Sequence, residues 1–274
     1  MVQPLARPDL SDLTLRVLSA AVLMPLAAAA IWWGGWYFGA MVILIGGAIG
    51  WEWSALCQTS AWLRGLTVLT LILSSILALS GMLQETFACA ALGALLIAVF
   101  ARIDRLEASA LLPIGVIYVS LALLSIVWLR SMPETGLVAV FWVVSLVIAT
   151  DVGAYFFGRL IGGPKLAPRI SPAKTWSGLA GGVGCAACAG VLVAIAVDGG
   201  NIVLIAVLSG VLAVVAQIGD LIESVVKRHF GVKDAGNLIP GHGGVLDRLD
   251  GFLTVAPVTG LMTWIAGGSP LRWQ

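Results

Sequence analysis

Long apolar segments follow one another along almost the whole chain, and they restrict its fold more than any other feature. Charges and turn residues separate nine such segments. A helix that crosses the hydrocarbon core of a bilayer needs about 20 mostly apolar residues. The pattern therefore predicts an all-α, polytopic integral membrane protein with about nine transmembrane helices. The predicted spans are residues 17–33, 36–56, 66–83, 87–101, 111–129, 137–157, 178–197, 202–222 and 252–266.

The composition supports this fold class and excludes others. Of the 274 residues, 60% are hydrophobic and 11% are charged, whereas soluble domains carry roughly 45–50% apolar and about 25% charged residues. A mean hydropathy of +1.04 excludes an ordinary water-soluble protein. The formal net charge of +1 lacks the basic excess that nucleic-acid binding requires, so no nucleic-acid partner is expected.

The distribution of charges predicts different roles for the two parts of the chain. Charged residues are scattered in the first half and concentrated in two polar loops of the second half, at residues 158–177 and 223–251. We therefore expect the transmembrane helices of residues 1–130 to form a scaffold and residues 131–274 to form the catalytic region. Homodimerisation through the N-terminal helices is left open.

The basic residues predict how the chain is oriented in the membrane. Lys and Arg near the ends of spans concentrate on the cytoplasmic side, and with nine spans one side receives only Arg130 and Arg272. We expect the N-terminus and both polar loops to be cytoplasmic and the C-terminus to be outside, in a membrane of the bacterial inner type. The 13 basic residues of the cytoplasmic side are Arg7, Arg16, Arg64, Arg102, Arg105, Arg159, Lys165, Arg169, Lys174, Lys227, Arg228, Lys233 and Arg248.

The first polar cluster begins inside a predicted span. Asp151, Tyr155 and Arg159 share one helical face, and an acid at membrane depth costs at least about 2.5 kcal/mol, so it indicates a functional site. Pairing of this acid with the arginine is the simpler alternative.

The loop that follows the first cluster contains a predicted anion site. Ser171 followed by Pro172 is typical of a helix start, with the serine as N-cap and the proline in the first turn. Lys174 and Thr175 would then lie near a helix N-terminus, where backbone N–H groups favour a phosphate.

The second cluster is a stripe along one helix that leaves the membrane. Asp220, Glu223, Ser224 and Lys227 recur at positions i, i+3, i+4 and i+7, which places them on one helical face. A purely structural membrane helix has no need of such a stripe.

A glycine-rich turn and two further acids complete the second cluster. His242, Gly243 and Gly244 lie in a turn whose backbone N–H groups can approach an anion closely. Asp247 and Asp250 follow at helical spacing, and with Asp220 they are hard oxygen ligands suited to Mg²⁺ held jointly with substrate phosphates. A salt-bridged helix start is the alternative interpretation of the two later acids.

At these residues the sequence resembles the CTP:phosphatidate cytidylyltransferase (CDP-diacylglycerol synthase) family. The signature consists of Ser224, Lys227-Arg228, Lys233-Asp234, His242-Gly243-Gly244, Asp247-Arg248 and Asp250, with every fixed position filled. The segments 151–155 and 171–175 are similar to the family as well. Ser177 departs from it, because family members commonly carry Glu there.

The resemblance implies transfer of a cytidylyl group from CTP to phosphatidic acid, which yields CDP-diacylglycerol and pyrophosphate. It implies that Asp220, Asp247 and Asp250 hold Mg²⁺, with a second cation as an option, and that Lys227 acts with the latter two acids in catalysis. Three groups of residues complete the hypothesis: Lys174, Lys227 and Arg228 as phosphate ligands; Ser171, Thr175, Ser224, His242, Gly243, Gly244 and Arg248 around them; and Asp151, Tyr155 and Glu223 in support.

Other functions stay open at this point. Intramembrane acids also mark ion-coupled secondary transporters, although the chain shows no internal repeat and its polar residues crowd one side. A CTP-dependent lipid kinase would use similar groups. A CDP-alcohol phosphotransferase is disfavoured because its contiguous aspartate motif is absent from the sequence.

Overall fold

The computed structural model describes residues 10–198 and 200–272, so Arg7 and the side chain of Arg16, which entered the orientation prediction, lie outside it. Its described part is an all-α bundle with one short β-hairpin, which confirms the predicted fold class. The helices are α1 (Leu10–Trp33), α2 (Gly35–Leu56), α3 (Ala61–Leu79), α4 (Leu83–Ile103), α5 (Leu111–Ser131), α6 (Gly136–Leu160), α7 (Trp176–Ala196), α8 (Ile202–His229) and α9 (Leu246–Ile265).

Each predicted apolar segment corresponds to one of these helices. Seven of them, α2 to α8, are long and apolar enough to span a membrane, and Val17–Trp33 of α1 is a shorter apolar helix. Helix α1 begins seven residues before the predicted start at 17. Next to the polar loops, α8 continues seven residues beyond the predicted end at 222, and α9 begins six residues before 252. The apolar pattern stops there because the helices continue with polar residues.

Buried apolar side chains form two clusters, and three helices, α6, α8 and α9, contribute to both. The first cluster is built mainly from α2 to α5, and the second from α6, α7 and α8. Helix α9 contributes Leu246 and Leu253 to the first cluster and Val255 to the second. The start of α9 is therefore packed against both halves of the chain.

Glycines allow α6 and α7 to approach each other closely. A Cβ atom on Gly153 of α6 would lie 2.8 Å from the Cys185 Sγ of α7, and one on Gly182 of α7 would lie 2.9 Å from the Thr150 carbonyl oxygen of α6. Such distances leave no room for a side chain, so this pair of helices depends on small residues, as transmembrane packing often does.

The loop between α6 and α7 forms a hairpin instead of the predicted helix start. Strand β1 (Lys165–Ala167) pairs antiparallel with strand β2 (Ser171–Thr175). The prediction of Ser171 as an N-cap was wrong, because α7 begins at Trp176 and the Thr175 hydroxyl accepts the capping hydrogen bond from Gly178 N–H at 3.1 Å. A residue before proline favours extended backbone, and pairing with β1 keeps Ser171 in that conformation.

Two glycines of α7 provide a matched test of this packing. Gly182→Ala should lower the thermal midpoint of the detergent-solubilised protein, because the added methyl meets the α6 backbone and overpacking costs about 1–3 kcal/mol. Gly184→Ala is the control: among the described residues, no atom outside the neighbouring backbone of α7 lies within 4 Å of its added Cβ, so the better helix propensity of alanine should leave the midpoint equal or higher. Equal midpoints for the two variants would contradict the close α6–α7 contact.

Candidate active site

The β-hairpin delivers a lysine to the acidic stripe of α8. Lys174, in strand β2, places its Nζ 2.5 Å from Asp220 Oδ2 and donates a hydrogen bond of 3.1 Å to Gln217 Oε1. The Ser224 hydroxyl donates to the other Asp220 oxygen at 3.4 Å. The sequence predicted Lys174 to lie one turn into a helix. It lies in strand β2 instead, and this strand places it against Asp220, one of the predicted acids.

A second lysine, on α8 about two turns beyond Asp220, connects this helix to α9. Lys227 Nζ lies 2.8 Å from Asp247 Oδ1 and 3.4 Å from Glu223 Oε1. The side chains of Lys227 and Asp247 are 14% and 6% exposed. The predicted helical stripe is therefore confirmed in its geometry, with each lysine set against a carboxylate.

The glycine-rich turn closes around the Asp247 carboxylate. Gly244 N–H donates to Asp247 Oδ2 at 2.9 Å, and Ala235 N–H lies 3.1 and 3.0 Å from its two oxygens. Gly241 and Gly243 adopt φ of 75° and 87°, which a turn this tight requires. In this arrangement the anion bound by the turn is a side chain of the protein, the Asp247 carboxylate.

These contacts decide the charge state of Asp247. Burial disfavours the ionised carboxyl, but the hydrogen bond from Lys227 and the backbone N–H groups of Gly244 and Ala235 outweigh it, so the pKa of Asp247 lies below its ordinary value. Asp247 is therefore an anion at neutral pH, bound mainly by its own protein.

Further acids converge beside this pair from three helices. Asp250 lies next to Glu223 and within electrostatic range of Asp220, and Asp151 of α6 lies within range of both Asp220 and Asp250. Glu223 is 5% exposed, and apart from the 3.4 Å ion-pair contact of Oε1 with Lys227 its oxygens accept no hydrogen bond in the part of the chain that is described. The site thus combines an excess of carboxylate with two lysines.

This donor set fits a divalent cation only in part. Within residues 10–198 and 200–272, no group of three or more His, Cys, Asp or Glu side chains could hold a metal ion by itself. Mg²⁺, however, is usually held by one or two carboxylates together with substrate phosphates and water. Asp220 and Asp250 match that demand, and the orphaned oxygens of Glu223 lie beside them, whereas Asp247 already accepts from Lys227 and two backbone N–H groups.

The remaining predicted residues surround the site in supporting contacts. Arg248 donates two hydrogen bonds, of 3.1 and 2.8 Å, to the His242 carbonyl, and the His242 Nδ1 lies 2.7 Å from the Ser19 hydroxyl of α1. Arg228 reaches the Ile170 carbonyl of the hairpin turn at 3.4 Å. Each of these arginine contacts connects a loop to the end of a helix.

Residues of the first cluster separate into two groups. Arg159 donates to the exposed Tyr155 hydroxyl at 2.8 Å, whereas Asp151 interacts with the acids and Lys174 of the second cluster. Ser177, where a glutamate was expected, donates to the Gly162 carbonyl at 2.5 Å in the first turn of α7. The structure therefore brings Asp151 to the site and places Tyr155 with Arg159.

Sequence reasoning missed Glu52. This residue of α2 is 1% exposed and accepts hydrogen bonds from Val245 N–H and Leu246 N–H at the start of α9. Its signal was available, since it is an acid within an apolar span. The partner could not be read from the chain because 193 residues separate the two positions.

The fold and the site together define a class: a polytopic membrane protein whose helix ends gather lysines and carboxylates suited to anionic, phosphate-bearing substrates. The chain belongs to the Cytidylyltransferase family, whose sequence profile matches residues 14–266.

Named relatives agree with this membership. The chain is 40% identical over 254 residues to the phosphatidate cytidylyltransferase of Brucella suis biovar 1 (strain 1330), which covers 90% of this chain and 92% of the relative. It is 45% identical over 128 residues to the protein of the same name from Staphylococcus haemolyticus (strain JCSC1435), covering 46% of this chain and 49% of the relative. The corresponding Mycobacterium leprae (strain TN) protein is 47% identical over 130 residues, covering 47% and 42%.

The lowered pKa of Asp247 predicts a pH-dependent contribution to stability. Because the folded-state pKa lies below the unfolded value of about 3.9, the contribution is complete above that value and is lost as the pH falls through the folded-state pKa. Asp247→Asn should therefore lower the thermal midpoint by a constant amount between pH 8 and about pH 5, equivalent to about 1.5–3 kcal/mol. Below about pH 4 the gap to the wild type should narrow, and a gap that stays constant to pH 3 would contradict the assignment.

Proposed function

We propose that this protein transfers the cytidylyl group of CTP to the phosphate of phosphatidic acid, forming CDP-diacylglycerol and pyrophosphate. The observation that carries the proposal is the pair of lysine–carboxylate contacts, Lys174–Asp220 and Lys227–Asp247, at the ends of transmembrane helices. A lipid phosphate lies at this level of a bilayer. Family membership and the name shared by the relatives support the same reaction.

The chemistry requires charge neutralisation more than proton transfer. An oxygen of the lipid phosphate attacks the α-phosphorus of CTP, a new P–O bond forms, and the bond to the β-phosphate breaks with its electron pair leaving on pyrophosphate. A phosphate monoester is largely ionised at neutral pH, since its second pKa is about 6, so no strong general base is needed. The site must instead overcome the repulsion between two anions and hold them in line.

The chain's own cations supply much of that neutralisation. We assign Lys174, Lys227 and Arg228 to the phosphates of CTP and of the lipid, where each phosphate competes with the carboxylate that the lysine now contacts. The polar groups around them complete the binding surface: Ser171, Thr175, Ser224, His242, Gly243, Gly244 and Arg248. Asp151 and Glu223 support the site from α6 and α8, and Tyr155 acts through its hydrogen bond with Arg159.

We propose Mg²⁺ as the cofactor, with Asp220, Asp247 and Asp250 as its ligands and a second cation as an option. Asp220 is bound only by side-chain donors, which a metal can replace more easily than the backbone donors of Asp247. A bound Mg²⁺ would neutralise charge on the triphosphate and on departing pyrophosphate. Asp247 in addition orders the turn and Lys227.

We also propose that the site faces the cytoplasm, where CTP is available, and that the C-terminus lies outside. Arg130 donates to the carbonyl groups of Ile31 and Trp32 at the end of α1, and Arg272 pairs with Glu134 at the start of α6. These contacts hold both predicted outside arginines at the end of the bundle opposite the acids. We expect a protease-cleavable tag at the C-terminus to be cleaved in intact spheroplasts. Cleavage only in inverted vesicles would indicate the opposite orientation. Homodimerisation stays a prediction.

The central experiment compares two site acids with a matched acid elsewhere. Purified protein is incubated with labelled CTP, phosphatidic acid and Mg²⁺, and CDP-diacylglycerol and pyrophosphate are measured together. Asp220→Asn and Asp250→Asn should each lower kcat at least about 100-fold, as the loss of a group that organises transition-state charge typically does. Asp198→Asn is the control, because Asp198 lies in the loop at the opposite end of α8 and its φ of 47° suits asparagine.

The products decide between this function and its alternatives. Equal amounts of CDP-diacylglycerol and pyrophosphate are expected, and both should disappear on chelation and return with Mg²⁺. Release of CDP with a phosphorylated lipid would identify a kinase. Ion flux in liposomes without CTP turnover would identify a transporter, and near wild-type activity of both acid variants would overturn the assignment of the site.

A further inference from the structure

Glu52 is a buried acid that belongs to the N-terminal helices and contacts the start of α9. Its Oε1 accepts a hydrogen bond of 3.0 Å from Val245 N–H, and its Oε2 accepts one of 2.8 Å from Leu246 N–H. The side chain is 1% exposed. An acid that is enclosed to this degree within a transmembrane helix needs a specific partner, and these two N–H groups are that partner.

The contact supplies a helix cap that the local sequence lacks. The first N–H groups of a helix have no partner within the helix, and Val245, at the N-cap position of α9, has no side chain that can accept a hydrogen bond. A carboxylate at this position also interacts favourably with the helix dipole. Glu52 therefore caps α9 from a different helix.

The surrounding loop is shaped to admit this carboxylate. A Cβ atom on Gly236 would lie 2.5 Å from Glu52 Oε1, and one on Gly244 would lie 2.7 Å from Glu52 Oε2. Gly244 belongs to the His242-Gly243-Gly244 turn, for which sequence reasoning gave only a role in phosphate binding. Its lack of a side chain is required here by the Glu52 carboxylate.

The backbone next to these contacts also positions the ion pair between Lys227 and Asp247. Gly244 N–H donates to Asp247, and Asp247 in turn contacts Lys227. Glu52 binds the two residues between that glycine and that acid. Any displacement of this backbone moves the acceptor of Lys227 with it.

We infer that Glu52 is a positioning residue, which fixes the start of α9 and thereby the Asp247–Lys227 pair, so that the N-terminal helices form part of the catalytic apparatus. This inference rests on the proposed function only for its effect on kcat. The hydrogen-bond geometry that carries it is independent of the reaction.

The test uses the full-length protein in detergent with three variants. Glu52→Gln keeps the shape but turns an amide N–H₂ toward one backbone donor, and Glu52→Asp keeps both acceptor oxygens. Ser75→Ala removes a buried hydroxyl of α3 that donates to the Leu71 carbonyl of its own helix. For each variant kcat is measured at saturating CTP and phosphatidic acid. Deuterium exchange is measured on peptides covering residues 243–249 and on peptides of α3.

We expect Glu52→Gln to lower kcat at least about 10-fold, as loss of a group that orients active-site residues does, and to speed exchange at residues 243–249 about fivefold or more, as loss of a cap does. Exchange in α3 should not change. Glu52→Asp should recover part of both effects, and Ser75→Ala should match the wild type in kcat and in exchange at residues 243–249.

Two results would overturn the inference. The first is wild-type kcat and wild-type exchange at residues 243–249 in Glu52→Gln. The second is faster exchange throughout the protein in Glu52→Gln, together with an equal loss of kcat in Ser75→Ala, because this pattern indicates general destabilisation. If Glu52→Gln does not fold, Glu52→Asp decides by the same two measurements. An inactive wild type would contradict the proposed function alone, because the exchange experiment needs no substrate.

Discussion

The Asp247 carboxylate is the interaction on which the polar half of the structure depends. It joins Lys227 of α8, the loop at Ala235 and the turn at Gly244 through hydrogen bonds of 2.8–3.1 Å. Backbone N–H groups bind this carboxylate in addition to Lys227. Its position is therefore set by the fold before any substrate binds. An exposed ion pair would contribute little, but this one is enclosed and fully hydrogen-bonded, so removal of either partner leaves a buried charge without compensation.

The balance of charge around this anchor indicates how an anionic substrate can enter. Lys174 and Lys227 each contact a carboxylate, while Asp250 and Glu223 are two further acidic side chains that no lysine contacts as closely. We propose that a nucleoside triphosphate enters such a site together with a divalent cation, which one or two carboxylates and the substrate phosphates would hold jointly.

Sequence patterns predicted the elements well and the contacts between them poorly. Apolar segments identified each of the described α-helices, and helical spacing placed Asp220, Glu223 and Lys227 on one face. The helix start at Ser171 was wrong because the extended preference before proline and pairing with β1 outweighed the capping signal. The occupation of Asp247 by backbone donors and the role of Glu52 could not be predicted, since both depend on how distant segments meet.

The packing of α9 connects the N-terminal helices to the polar half of the structure. This helix carries Asp247 and Asp250 in its first turns, yet its apolar residues enter the core formed by α2 to α5 as well as the core of α6 to α8. The Tyr118 hydroxyl of α5 adds a hydrogen-bond contact of 2.8 Å with Thr254. Rigid placement of two carboxylates to within a fraction of an ångström requires fixed neighbours on both sides. A chain with few charges obtains that rigidity from apolar packing around α9.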